Sequence, residues 1–267
     1  SAVWVKTQVI YYIADVAQTA QFVTTDLAVK GYGYGIEGEN TTIPANDVLS
    51  STTSSNISIN SNFTLPIKVS ETLTTDVTVI SYPDNTLNYS VTLSASTDSA
   101  ELIKNIFVKC SEIGNDTSIQ IKKDTVLVSE LVIKEELKYT PIDIYFINKF
   151  GQLYCLTFFK KIINNLSVNN ESFESSIGQP INGQHQFENF NTNGKTDFKV
   201  ESGFLKESNN ENFKQLFLSD KVWNFNGTTF IPLNLKSKSI EYKTKLNDKL
   251  VNYELNFEYA FSELNNI

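Results

Sequence analysis

Along much of the chain, apolar and polar residues alternate with a period of two. Ile57, Ile59, Phe63, Leu65, Ile67 and Val69 share odd parity, with Ser and Asn at most positions between. Tyr89, Val91, Leu93 and Ala95 repeat the pattern. The clearest run is Val251, Tyr253, Leu255, Phe257, Tyr259 and Phe261, interleaved with Asn252, Glu254, Asn256 and Glu258. Successive side chains of a strand point to opposite faces, so each run has one wet and one dry side. The pattern predicts antiparallel sheets stacked as sandwiches.

Turn and cap residues divide these runs. Trp223 to Phe230 predicts a hairpin closed by a two-residue Asn226-Gly227 turn, whose positive φ angles suit the strand twist. Asn247-Asp248 is expected to turn the chain between a strand over Tyr242–Leu246 and the final long strand. Asn182-Gly183 and Asn193-Gly194 punctuate a polar region, Asn164 to Asn193, read as loop or irregular β. The Ser/Thr/Asn-rich stretch Asn40 to Asn56 reads as a long exposed loop. One helical signal stands apart: Ser208-Asn209-Asn210 as the cap of a short helix with Phe213, Leu216 and Phe217 on one face. The expected fold is all-β, two β-sandwich domains with one short helix in the C-terminal domain. The border is placed near Lys138–Pro141, giving domains 1–138 and 139–267, with Ser96–Ala100 as the alternative border. No internal repeat is evident.

Composition narrows the partners more than the fold. All 22 basic residues are Lys, there is no Arg, and the formal charge is −8. Without a guanidinium fork, bidentate recognition of phosphate is absent, and a net acidic chain is a poor sequence-specific nucleic-acid binder. No run approaches the roughly 18–20 consecutive apolar residues that span a bilayer as a helix. Ser1 in a chain without Met fits removal of an initiator Met, and the mature product of a cleaved signal reads the same way. Cys110 and Cys155 are the only cysteines, too few for a disulfide framework, and are expected as buried free thiols.

Candidate chemistry is sparse. Gly33-Tyr34-Gly35-Ile36-Glu37-Gly38 matches the dinucleotide fingerprint. That motif works only between a strand and a helix N-terminus, and Asn40-Thr41-Thr42-Ile43-Pro44 follows it, so a Gly-Tyr turn is the better reading. The single histidine, His185, sits in a polar loop segment with no nucleophile elbow anywhere in the chain. One His and two separated Cys make no conventional zinc site. Glu135-Glu136 reads as a solvated strand end rather than a glycosidase pair. No catalytic, cofactor-binding or metal-ligating residue is nominated, and no cofactor is expected.

A connected series fills the C-terminal half. It runs Lys138-Tyr139-Thr140-Pro141, then Tyr145-Phe146-Ile147-Asn148-Lys149-Phe150-Gly151, then Leu156-Thr157-Phe158-Phe159-Lys160. Ser202-Gly203-Phe204-Leu205 follows, then the Glu211–Leu218 helix with Ser219. Tyr242-Lys243-Thr244-Lys245 and the run Tyr253 to Ala260 close it. The series resembles a β-sandwich virion protein of tailed bacteriophages of Bacteroidetes, especially the tail ring proteins of crAss-like phages. The resemblance covers Lys138 to Ala260, about half the chain; the N-terminal half is similar only as an immunoglobulin-like strand series.

The resemblance implies a non-enzymatic structural subunit of the virion tail, made in the bacterial host cytoplasm. It implies a cyclic homo-oligomeric ring near the portal, twelvefold if it follows the portal. The portal and other tail proteins are the implied partners, with DNA passing through the channel without specific binding. No family catalytic residue exists to carry over. The competing expectation is a surface adhesin or carbohydrate-binding module, suggested by the abundant Tyr, Trp4, Trp223 and Asn-rich loops.

Overall fold

The computed structural model describes residues 2–9, 12–13, 16–17, 21–29, 34, 47–50, 54–58, 61–70, 72–84, 86–95, 103–110, 118–134, 138–175, 185–226, 228–240 and 250–264. In chain order the strands are β1 (Ala2–Val9), β2 (Tyr12–Ile13), β3 (Val16–Ala17), β4 (Gln21–Val29), β5 (Ser54–Ser58), β6 (Asn62–Lys68), β7 (Thr75–Tyr82) and β8 (Thr86–Leu93). There follow β9 (Ile103–Lys109), β10 (Ser118–Lys123), β11 (Val126–Lys134), β12 (Ile142–Ile147), β13 (Leu153–Phe158), β14 (Ile163–Glu174), β15 (Phe187–Glu201) and β16 (Leu205–Lys206). A 3-10 turn, Glu207–Asn209, leads into α1 (Asn210–Leu218), and β17 (Val222–Phe225), β18 (Phe230–Leu235), β19 (Leu250–Val251) and β20 (Glu254–Tyr259) complete the chain. The protein is all-β, with one α-helix among the described residues.

The chain separates into two compact units. The first holds Ser1–Glu135, Tyr145–Thr157 and Ser208–Asp220; the second holds Glu136–Ile144, Phe158–Glu207 and Lys221–Ile267. One changeover, between Glu135 and Glu136, lies close to the expected border at 138/139. The segments 145–157 and 208–220, however, group with the N-terminal part of the chain, so no single cut produces these units.

In the first unit a five-stranded sheet has the order β5-β11-β10-β7-β8. Its registers set Val79 opposite Ile121 and Ser81 opposite Ile119, and Ile119 opposite Leu131, so these side chains share one face. All of them are buried. The ladder of β6 and β9 contributes Phe63, Leu65, Ile67, Ile106 and Val108 to the buried set. Against the antiparallel expectation, β5 runs parallel to β11. Residues 47–50, inside the expected Asn40–Asn56 loop, are not exposed. Val48 and Leu49 are buried, and this segment pairs with β6 through Lys68 N–H to the Asp47 carbonyl and Leu49 N–H to the Pro66 carbonyl. Two apolar residues in a polar stretch were the available signal.

A turn over Asn148 to Gly151 joins β12 to β13, with Gly151 N–H donating to the Asn148 carbonyl at 2.9 Å. Asn148 Oδ1 accepts from Phe150 N–H and Gln152 N–H at 3.0 Å each, and its amide donates to the Leu49 carbonyl at 2.9 Å. Gly151 takes φ 72°, the left-handed region a glycine enters without a Cβ clash. The expected helix also forms, burying Phe213 and Leu216. Its cap does not: Asn209 has αR backbone angles and makes no side-chain capping bond, because the 3-10 turn runs straight into α1.

The second unit contains the neighbouring strands β17-β18-β20-β15-β14. Phe198, Val200, Leu233, Leu255 and Phe257 form its dry face. Phe257 lies between Phe158, ring centroids 6.4 Å apart, and Phe198, at 5.6 Å. The β17–β18 hairpin is present, but Phe225 pairs with Phe230, so its loop is four residues, 226–229, rather than two. Asn226 Oδ1 closes it by accepting from the Thr228 and Thr229 amides at 3.0 and 2.9 Å. A short polar side chain thus closes the loop through its own hydrogen bonds. The final alternating run breaks into β19, paired with β16, and β20, paired with β15 and β18. The expected strand at Tyr242–Leu246 and the turn at Asn247-Asp248 lie outside the described residues.

Candidate interaction surface

The region expected as loop, Asn164 to Asn193, is a long antiparallel ribbon. β14 pairs with β15 from Ile163↔Lys199 out to Glu174↔Phe187. Beyond the strands, Ser175 N–H still donates to the Gln186 carbonyl. Every residue of β14 is exposed, as is every residue of β15 from Phe187 to Thr192. At about 3.3 Å per residue the twelve-residue ribbon is about 40 Å long, and the part beyond the β15–β20 pairing forms an arm. Asn193-Gly194, expected to punctuate a loop, lies within β15; Asn182-Gly183 lies outside the described residues.

The ribbon presents large apolar side chains to solvent: Ile163, Leu166, Val168, Phe173, Phe187 and Phe190. Phe187 is 63% exposed and Val168 58%. Residues directly opposite in an antiparallel pair share a face. Phe173, opposite Glu188, and Phe190, opposite Glu171, therefore stand together, and their rings meet edge-on at 5.8 Å. Near the root, Leu166 and Val168 share the other face with Phe198. Val168 faces Gly194, so nothing on β15 covers it.

A bulge changes the phase along the arm. Asn169 pairs with Asn193 and Glu171 with Phe190, so Asn191 and Thr192 together oppose Asn170. Asn191 takes φ 52°, which Asn tolerates better than most residues, and its amide reaches Glu171 Oε1 at 3.3 Å. Past the bulge, even-numbered residues of β15 occupy the face that odd-numbered ones hold nearer the root.

The root is fastened by side chains acting as backbone. Asn193 Oδ1 accepts from Leu264 N–H at 3.1 Å while its amide donates to the Leu264 carbonyl at 3.0 Å. Glu263 N–H donates to the Gly194 carbonyl at 2.8 Å, and Thr196 donates its hydroxyl proton to Glu263. On the same strand Asp197 is nearly buried, and Lys236 Nζ donates to it at 2.7 Å. That bond, with a further one from Asn165, holds the Asp197 carboxyl below the usual carboxylate range against the opposing effect of burial. The same bond raises Lys236 above the usual lysine range. An open depression of about 330 Å³ beside the root, lined by Val168, Asn193, Gly194, Lys195 and Ser262 among others, lacks the enclosed apolar walls that bury a small ligand.

Tyr34 of the Gly33-Tyr34-Gly35 motif is held by the helix: its hydroxyl donates to Glu211 Oε1 at 2.7 Å, and Lys214 Nζ lies 3.3 Å from its ring centroid. The other residues of that motif lie outside the described set. His185 is exposed beside the outer end of the arm. Cys110 and Cys155 are buried thiols not joined in a disulfide. Glu135-Glu136 lies outside the described residues. Among the described residues no three His, Cys, Asp or Glu side chains gather as metal ligands, and no helix is long and apolar enough to cross a membrane.

The arm's signal in the sequence was faint. Leu166 and Val168 alternate, but Asn and Ser fill both faces around them. Comparison of the chain with known family models, curated proteins and solved structures finds no match.

Proposed function

We propose that this chain is a non-enzymatic structural subunit of a bacteriophage tail, forming a homo-oligomeric ring around the DNA channel near the portal. The observation that carries the reading is the arm: a projecting ribbon with apolar side chains on both faces and an outer edge that pairs with no other described strand. Such a surface is a liability on a solitary protein and an asset on one that is covered in an assembly. The sequence resemblance to crAss-like phage tail ring proteins supplies the setting. In that setting the acidic surplus serves the channel, because lysine-rich walls would hold passing DNA through counterion release. Portal and neighbouring tail proteins cover the remaining exposed surface, and a twelvefold ring matches the portal's symmetry.

Imaging of the intact particle tests the proposal. The expected result is density for this chain as a closed ring on the tail axis, with a channel lining that is not predominantly Lys. A single asymmetric copy or a distal fibre would sink it, and specific binding to host glycans on an array would favour the adhesin reading instead.

A further inference from the structure

We infer that two copies of this chain join through the outer edge of β14, antiparallel and about a twofold axis, with Val168 of one copy opposite Val168 of the other. The inference starts from the same arm as the ring reading but concerns a twofold contact, distinct from the head-to-tail contact of a ring.

The argument begins with the edge. β14 ends its strand order, so its outer row of N–H and C=O groups pairs with no described strand. Natural edges are commonly blunted by lysine, proline, a bulge on that strand or a covering loop. From Ile163 to Glu174 there is no Lys and no Pro, and the bulge's extra residue lies on β15 instead. An exposed twelve-residue edge is a template for strand addition.

The side chains choose the occupant. With Val168 on the axis, Ile163 of each copy faces Phe173 of the other, Leu166 faces Asn170, and Asn165 faces Glu171. Two aliphatic–aromatic pairs and one valine pair are thereby covered on the faces where they are now exposed. Charge agrees with this register. No Lys lies between Lys161 and Lys195, while Glu171, Glu174 and Glu188 lie toward the outer end. The arm is acidic outside and carries Lys160-Lys161 at its root. Antiparallel pairing brings Glu174 of each copy beside the other's root lysines and sets no like charges opposite one another. A parallel arrangement would stack Glu171 on Glu171 and Glu174 on Glu174. A contact that matches itself under a twofold rotation is the isologous kind that closes at two copies.

The mass in solution, measured by light scattering after gel filtration, tests the axis directly. Wild type is expected at twice the chain mass. Val168→Lys and Val168→Glu, each on an exposed position that leaves the fold intact, are each expected at the single-chain mass. Their equimolar mixture is expected to return to the doubled mass as a heterodimer, because residue 168 then meets its opposite charge. Wild type that is monomeric at every concentration overturns the inference, as does a dimer that either charged variant leaves unchanged. A particle lacking the ring would refute the proposed function without touching this result, so the two failures are separable.

Discussion

The two ends of β15 share a backbone conformation and differ in everything around it. From Asp197 to Lys199 the strand lies between β14 and β20, β20 continues alongside it to Glu201, and Phe198 and Val200 are buried. From Phe187 to Thr192 it pairs, among the described strands, only with β14, and no residue is buried. The hydrogen-bond ladder is common to both, so the ladder is not what distinguishes body from arm; the removal of apolar area from water is. A two-stranded ribbon is marginal on its own in water. The arm's order rests on local devices instead: the Phe173–Phe190 pair, the Asn191–Glu171 and Gln186–Glu174 bonds, and the Asn193 clasp.

The largest test of this contrast is aromatic truncation. Phe257→Ala should cost about 3–5 kcal/mol of unfolding free energy in chemical denaturation, through lost burial and the cavity left behind. Phe173→Ala and Phe190→Ala together should cost about 1 kcal/mol or less, since their rings contribute chiefly one another's contact. Equal costs would mean that the arm belongs to the cooperative core.

Hydrogen exchange sharpens the same contrast residue by residue. With the protein held as single chains by Val168→Lys, amides from Phe187 to Thr192 should exchange on the order of 100-fold faster than those from Phe198 to Glu201, because local opening of the arm exposes no core. Similar protection at both ends would erase the distinction.

Two glycines give a smaller contrast. Gly203 has φ 66°, and a Cβ there would meet the Lys160 stem at 3.1 Å. Gly203→Ala should therefore destabilise by about 1–2 kcal/mol. At Gly194 the nearest obstacle is the movable Cδ1 of half-exposed Leu166, so Gly194→Ala should change stability by about 0.5 kcal/mol or less. Thermal denaturation of both variants checks the ordering.

Least in size is the pH response of the Asp197–Lys236 pair where the arm meets the body. The Asp197 carboxyl is lowered, so its contribution is present above the ordinary carboxylate pKa, about 3.9, and is lost as pH falls through the depressed native value. Lys236 is raised, so its contribution is present below the ordinary lysine pKa, about 10.4, and is lost as pH rises through the higher native value. The difference in stability between wild type and Asp197→Asn should be flat across neutral pH and shrink at the acid extreme. A difference that instead grew on acidification would reverse the sign argued here.

Much of the body was legible in the sequence because burial writes itself as alternation. Phe63, Leu65 and Ile67, or Leu255 and Phe257, carry a periodic pattern because one side of each strand faces the core. The break between β19 and β20 left no such trace, since Val251 and Tyr253 keep the parity of Leu255 while the ladder changes partner between them. The arm was illegible for the opposite reason: a ribbon wetted on both faces imposes no alternation, and its Asn and Ser read as loop. The four-residue β17–β18 turn escaped because Asn226-Gly227 suits two turn geometries, and only the Phe225–Phe230 register selects between them.

The bulge in β15 acts as an insertion that the ladder absorbs. Asn169 pairs with Asn193 on one side of it and Glu171 with Phe190 on the other, so deleting either Asn191 or Thr192 would leave one residue opposite Asn170 and restore one-to-one pairing. Outward of it Phe190 would still face Glu171 and Glu188 would still face Phe173, while Asp197, Phe198 and the rest of the body kept their places. What the extra residue supplies is a local bend and added twist, not a different set of side chains. A gain or loss of one codon there would re-aim the arm while keeping both its surface and the core that carries it.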